Sequence, residues 1–172
     1  MDGHRIPAAA DFSRWRRVQG AAGTRALGAD LAGVVQAGDA LLLYGALGAG
    51  KTCLVQGLCA ALGVAEPVTS PTFTLVNRYH GRLTVAHLDF FRITAGHDLN
   101  DIGVPELLDE LADRRLLLLA EWPDLLPALL PRRLELLAIY GRAREERLWH
   151  LRGVPDLPAG HADLFPEEGP PC

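Results

Sequence analysis

Ala40-Leu41-Leu42-Leu43-Tyr44-Gly45-Ala46-Leu47-Gly48-Ala49-Gly50-Lys51-Thr52-Cys53-Leu54 is the stretch that decides the fold. Its first five residues form an unbroken apolar run, the pattern of a strand covered on both faces. Gly45 to Thr52 then satisfies G-x-x-x-x-G-K-[ST] at every fixed position. From Lys51 to about Leu62 the leucines Leu54, Leu58 and Leu62 fall on one helical face, and Gly63 is a stop signal. Strand, glycine-rich loop and helix form the context a phosphate-binding loop requires. The chemistry explains the residue types. Glycines let main-chain N–H groups turn inward with no Cβ in the way, and the helix start offers its positive end to an anion. Lys51 spans the β- and γ-phosphates and the Thr52 hydroxyl ligates Mg²⁺. The competing reading is a plain glycine-rich turn between strand and helix.

Composition agrees with a phosphate site in one detail. Of 17 basic residues 16 are Arg, and the single Lys is Lys51. A compact ammonium on a flexible stem stands at the one position where a phosphate wants it. Guanine-specific proteins read their base with an N-K-x-D element, which needs a second Lys, so ATP is favoured over GTP. The bulk numbers are ordinary. The chain has 172 residues, 49% hydrophobic and 22% charged, enough for roughly one domain with no staple. A net charge of −4 gives no whole-chain pull toward nucleic acid or an anionic membrane. Cys53, Cys59 and Cys172 are too few and too scattered for a disulfide framework or a cysteine-based zinc site. No apolar run approaches a signal core or a membrane span, so the expectation is a cytoplasmic protein with no membrane and no DNA partner.

Working outward, residues 1–20 read as an N-terminal arm or edge strand, with Arg14 to Val18 the strand candidate. Thr24 to about Val35 reads as a helix with Thr24 as its N-cap. After the phosphate loop and its helix, Pro67 to Pro71 is loop, and Thr72 to Tyr79 and Leu83 to Phe90 read as a strand pair. Asp98 to about Leu111 holds one or two short helices interrupted near Gly103. Arg115 to Trp122 is a buried strand, and Leu134 to Tyr140 with Arg147 to Arg152 form a last antiparallel pair. Residues 153–172, with five prolines and several acids, read as a disordered tail. The domain is therefore 21–152. The fold class is α/β: a P-loop NTPase-like mixed sheet flanked by helices, with antiparallel strand additions.

Two strand-end acids can complete a metal and catalytic site. Asp89 closes Leu83-Thr84-Val85-Ala86-His87-Leu88, the arrangement of a carboxylate that holds Mg²⁺ directly or through water. Glu121 closes the leucine strand before Trp122-Pro123 and can orient or deprotonate the attacking water. Either acid can equally be turn chemistry. Ser70 and Thr72 offer hydroxyls in the preceding loop, and Arg92 can touch phosphate, pair with Asp89 or be solvated. The histidines lack metal-ligand spacing; His87 and Asp89, two apart on one strand face, are too little for a site. The Arg pairs at 114–115 and 132–133 read as solvated loop charges.

Together these segments resemble the TsaE family over Thr24 to about Leu151. The resemblance rests on Thr24-Arg25-Ala26-Leu27-Gly28, the phosphate loop, Ser70-Pro71-Thr72-Phe73-Thr74-Leu75, His87-Leu88-Asp89-Phe90-Phe91-Arg92, Ile102-Gly103, Glu121-Trp122-Pro123 and Gly141-Arg142. It implies an ATPase, slow alone, that binds ATP and Mg²⁺. Such a protein acts with TsaB and TsaD in threonylcarbamoylation of adenosine 37 of tRNA, with indirect tRNA involvement through the complex. The implied catalytic residues are Glu121 and Lys51. Thr24, Gly45, Leu47, Gly48, Ala49, Gly50, Lys51, Thr52, Cys53 and Trp122 bind the nucleotide, and Thr52, Asp89 and Glu121 hold the metal. Ala46 departs from the family, which commonly carries an acid there. A small-molecule kinase, or a nucleotide-dependent binding module with little hydrolysis, are the alternatives.

Overall fold

The two leucine-rich runs marked as two-sided strands lie side by side at the centre of one sheet. A computed structural model describes residues 4–93, 99–156, 158 and 160–168. Asp98, Cys172, Pro170 and Pro171 lie outside the described residues.

Strand β1 (Arg14–Gln19) leads into helix α1 (Gly20–Ala32), and β2 (Ala40–Gly45) leads through the glycine loop into α2 (Lys51–Ala61). Next come β3 (Val76–His80), β4 (Thr84–Asp89), α3 (Val104–Ala112), β5 (Leu117–Glu121), β6 (Arg133–Tyr140), β7 (Glu146–Val154) and the two-residue β8 (Glu167–Glu168). Among the described residues the sheet order is β3-β4-β5-β2-β6-β7-β1-β8. The block β4-β5-β2-β6 is parallel, and every other pairing is antiparallel. The mixed α/β fold expected from the sequence is the one observed.

Period-two alternation sorts the strand leucines between two cores. Leu41, Leu43, Leu117 and Leu119 join Leu27, Leu31, Leu54 and Leu58 of α1 and α2. Leu42, Tyr44, Leu118 and Ala120 face the other way, with Val104, Leu107 and Leu111 of α3. Helices α1 and α2 cross in close contact. A Cβ on Gly28 would stand 2.2 Å from the Leu54 carbonyl oxygen, and one on Gly57 would stand 2.1 Å from that of Arg25. Two glycines thus set how near α2, and the loop that starts it, can lie to α1. Because the central strands are parallel, their carboxyl ends share one edge. Asp89 is in register with Glu121, and Glu121 with Leu43.

Several local expectations change. Helix α1 begins at Gly20, where φ is +63°. Thr24 is therefore not an N-cap; it is buried in the second turn with its hydroxyl donating to the Gly20 carbonyl at 3.2 Å. Strand β3 starts at Val76 rather than Thr72, because Leu75 takes a φ of +64° and its N–H closes a turn onto the Pro71 carbonyl. Arg133 is not a solvated charge: its Nε donates to buried Glu135 at 2.6 Å. Nor is all of the stretch after residue 153 a loose tail. Phe165 is fully buried in the core over α1, and Glu167–Glu168 pairs with β1. The proline-rich composition hid that single aromatic anchor.

Candidate functional site

The loop between β2 and α2 takes its shape from positive-φ glycines: Gly45 at +135°, Gly48 at +75° and Gly50 at +108°. Gly45 has a second constraint, since a Cβ there would stand 2.5 Å from the Ala138 carbonyl oxygen of β6. Gly50 is the N-cap of α2 and supplies no side-chain cap. The first-turn N–H groups of α2 are thus left for an external acceptor. Leu47 stands exposed at the loop tip, and the Tyr140 hydroxyl donates to its carbonyl at 2.8 Å.

Lys51 is 4% exposed. Its ammonium donates to the Gly45 and Ala46 carbonyls at 2.7 and 3.1 Å and lies 3.9 Å from the centre of the Trp122 ring. Burial lowers its pKa to about 8, partly offset by the negative charges of Glu121 and Asp89. No ion pair among the described residues includes Lys51. A buried ammonium answered only by carbonyl dipoles and a ring face is suited to receive an anion.

The two strand-end acids face this ammonium from neighbouring strands. Asp89 is held on both oxygens. Oδ2 accepts from the Ser70 and Thr72 hydroxyls at 2.5 and 2.7 Å, and Oδ1 accepts from the Phe91 N–H at 2.9 Å. The Ser70-Pro71-Thr72 loop therefore orients Asp89. Glu121 Oε1 accepts from the Thr52 hydroxyl at 2.7 Å and meets His87 Nε2 at 3.1 Å. His87 is fully buried and its Nδ1 has no partner, so Nε2 carries the proton toward Glu121. The sequence dismissed His87; an imidazole inside an apolar strand two residues before Asp89 was the signal available. Trp122 has φ +55° although it is not glycine and precedes proline, a conformation that costs on the order of 1–3 kcal/mol. The surrounding loop holds that strain and lays the indole against Lys51.

Lys51, Thr52, Asp89, Glu121, Trp122, Gly48, Gly50, Leu47 and Cys53 line one open cleft of ≈ 510 Å³, with Ser70 and Thr72. Around the start of α2 a second hollow of ≈ 330 Å³ is lined by Thr24, Gly48, Ala49, Gly50 and Cys53, and by Arg144, Glu145 and Arg147. The last three were not singled out from the sequence, because they reach the loop only through the β6–β7 turn. Arg147 also stacks on Tyr140 at 4.2 Å. Arg92 turns away, over the exposed Phe73 ring at 4.5 Å.

The donor set fits a hard cation. A hydroxyl and two carboxylates offer oxygen alone, the preference of Mg²⁺, which takes one or two carboxylates and completes its shell with phosphates and water. Among the described residues no cluster of three or more His, Cys, Asp or Glu could hold a metal by itself.

The sequence model of the family described as "Threonylcarbamoyl adenosine biosynthesis protein TsaE" matches residues 18–148. A Treponema pallidum relative named tRNA threonylcarbamoyladenosine biosynthesis protein TsaE is 44% identical over 98 residues, 57% of this chain and 64% of the relative. A Bacillus subtilis protein of the same name is 36% identical over 69% of this chain and 71% of its own length. The crystal structure of YdiB from Bacillus subtilis superposes with a TM-score of 0.64 at 28% identity, covering 80% of this chain and 82% of that one.

Proposed function

The chain belongs to the TsaE family, and from that premise we propose that it is a Mg²⁺-dependent, ATP-binding and ATP-hydrolysing subunit. It acts in the cytoplasm with TsaB and TsaD in the threonylcarbamoylation of adenosine 37 of tRNA. The observation that carries the proposal is the gathering of Lys51, Thr52, Asp89 and Glu121 around one cleft at the carboxyl edge of the parallel strands, the edge where α/β sheets bind their ligands.

In this reading Lys51 takes the β- and γ-phosphates, exchanging carbonyl dipoles for a full negative charge. The N–H groups of Gly48, Gly50, Lys51 and Thr52 cradle the phosphate chain. Thr52 and Asp89 hold Mg²⁺, with Glu121 beside them. Bound Mg²⁺ supplies neutralisation of the phosphate oxygens. Thr52 would give the metal a lone pair while its O–H still donates to Glu121 Oε1. Glu121, oriented by Thr52 and His87, is then able to position a water with its other oxygen and accept its proton. Trp122 closes the floor beneath Lys51 and excludes solvent. Thr24, Ala49, Cys53 and the Arg144–Arg147 turn border the hollow available to ribose and base. Ala46 contributes its carbonyl to Lys51, a contact independent of the side chain. With a net charge of −4, this chain meets tRNA through its partners.

The deciding measurement is phosphate release from Mg-ATP, alone and with TsaB and TsaD. Release that rises when both partners are added supports the proposal. No release in their presence, or transfer of phosphate to a small acceptor, refutes it. Asp89→Asn is expected to abolish Mg-ATP binding while the far-UV spectrum stays that of the wild type.

A further inference from the structure

An N-terminal arm, residues 4–13, lies before the stretch matched by the family and reaches the loops behind the two strand-end acids. His4 makes the contact. Its Nδ1 stands 2.7 Å from Asp124 Oδ2, in the loop after Glu121, and its Nε2 stands 2.9 Å from the Phe91 carbonyl oxygen, in the loop after Asp89. Phe91 in turn donates its N–H to Asp89 at 2.9 Å. The imidazole stacks on Phe91 at 5.9 Å and leans on Trp122 at 4.9 Å, the same ring that lies beside Lys51. The His4 side chain is 10% exposed and that of Asp124 24%.

Each nitrogen of the His4 ring stands at hydrogen-bond distance from an acceptor on a different loop, the Asp124 carboxylate and the Phe91 carbonyl, so one ring spans both loops. We propose that His4 is a positioning residue: it ties the loop after Asp89 to the loop after Glu121 and seats the Trp122 ring beside Lys51. Asp124 is the carboxylate that faces it, and it also accepts from the Arg5 N–H at 3.2 Å. Behind Asp124 lies a cleft lined by Asp11, Tyr44, Arg133, Glu135 and Arg152; beyond the indole stands Lys51. The consequence for turnover rests on the ATPase reading above, whereas the tie itself does not.

The test follows the Trp122 indole N–H of the full chain by NMR in wild type, His4→Gln and Asp124→Asn, and measures ATP hydrolysis by the same three proteins with TsaB and TsaD. In His4→Gln the indole resonance leaves its wild-type position, and kcat falls about tenfold with KM little changed, the usual cost of losing a residue that orients catalytic groups. In Asp124→Asn the amide can donate to or accept from Nδ1 while Nε2 still reaches Phe91, so the arm stays seated and the indole keeps its wild-type position. An indole resonance unmoved in His4→Gln overturns the proposal. Unchanged kcat in a His4→Gln enzyme whose wild type hydrolyses ATP overturns it too. An indole shift in His4→Gln of a chain that releases no phosphate even with TsaB and TsaD upholds the tie and refutes the ATPase reading instead.

Discussion

Two buried glutamates on opposite faces of the sheet show how differently this fold treats the same side chain. Glu135, near the start of β6, is 1% exposed and gripped by two guanidinium groups: Arg133 Nε at 2.6 Å on one oxygen and Arg152 Nε at 2.8 Å on the other. Glu121, at the carboxyl end of β5, is 4% exposed and, among the described residues, hydrogen-bonds with the Thr52 hydroxyl and the His87 ring alone. Each oxygen of Glu135 is answered by a guanidinium, so its charge is already matched within the fold. Glu121 is oriented without being neutralised, and the ammonium of Lys51 nearby is bound to carbonyls instead. A buried carboxylate closed by two arginines holds strands together; one left short of positive charge, beside a lysine left short of negative charge, has the charge pattern that the proposed metal and phosphate would complete.

That contrast makes predictions, the largest first. Glu121→Gln should lower kcat for ATP hydrolysis by about 10²- to 10⁴-fold, the range for a lost general base. Mg-ATP affinity should change by less than about threefold and the melting temperature should hold; steady-state kinetics with a nucleotide titration would show it. Turnover at the wild-type rate would erase the distinction between the two acids. Glu135→Ala should do the reverse. Leaving two arginines without their shared anion should cost about 3–5 kcal/mol in chemical denaturation, while hydrolysis below the unfolding transition stays near wild type. Gly57→Ala acts on the scaffold both regions share. Its Cβ would meet the Arg25 backbone, so the α1–α2 crossing should open at a cost of about 1–3 kcal/mol, read as a lower denaturation midpoint. The smallest effect concerns Lys51. Its pKa stands at about 8 before any anion arrives, and phosphate favours the charged form, so binding raises that pKa and takes up a proton. Affinity should be level below about pH 8 and fall as pH rises through it. Calorimetry in buffers of different ionisation heat would detect the uptake; affinity rising with alkalinity would exclude an anion at Lys51.

Much of this site was legible from local pattern. The glycine loop, Lys51, Thr52 and the strand-end acids stand out because each carries a local signature: fixed spacing, an apolar run before it, a helix after it. What escaped notice lacked such a signature. His87 becomes the partner of Glu121 only through the β4–β5 register, which no single strand contains. Arg133 reads as a surface charge until β6 places Glu135 two residues on, on the buried face. Arg144, Glu145 and Arg147 reach the loop across the β6–β7 turn. Phe165 sits among prolines and acids, where composition argues for disorder, and one fully buried ring outweighs that average.

By itself the sequence determined the α/β class, the phosphate loop and the kind of chemistry its residues can support. Those depend on periodicity and on residue types at fixed spacing, and both are local properties of a chain. Only the tertiary structure decided which groups answer one another's charge. It set Glu121 against Thr52 and His87, gave Glu135 its two arginines, buried Lys51 against the Trp122 ring and brought His4 to Asp124 across 120 residues of sequence. Hydrogen bonds and desolvation act over a few ångströms of space, and separation along the chain does not measure that distance.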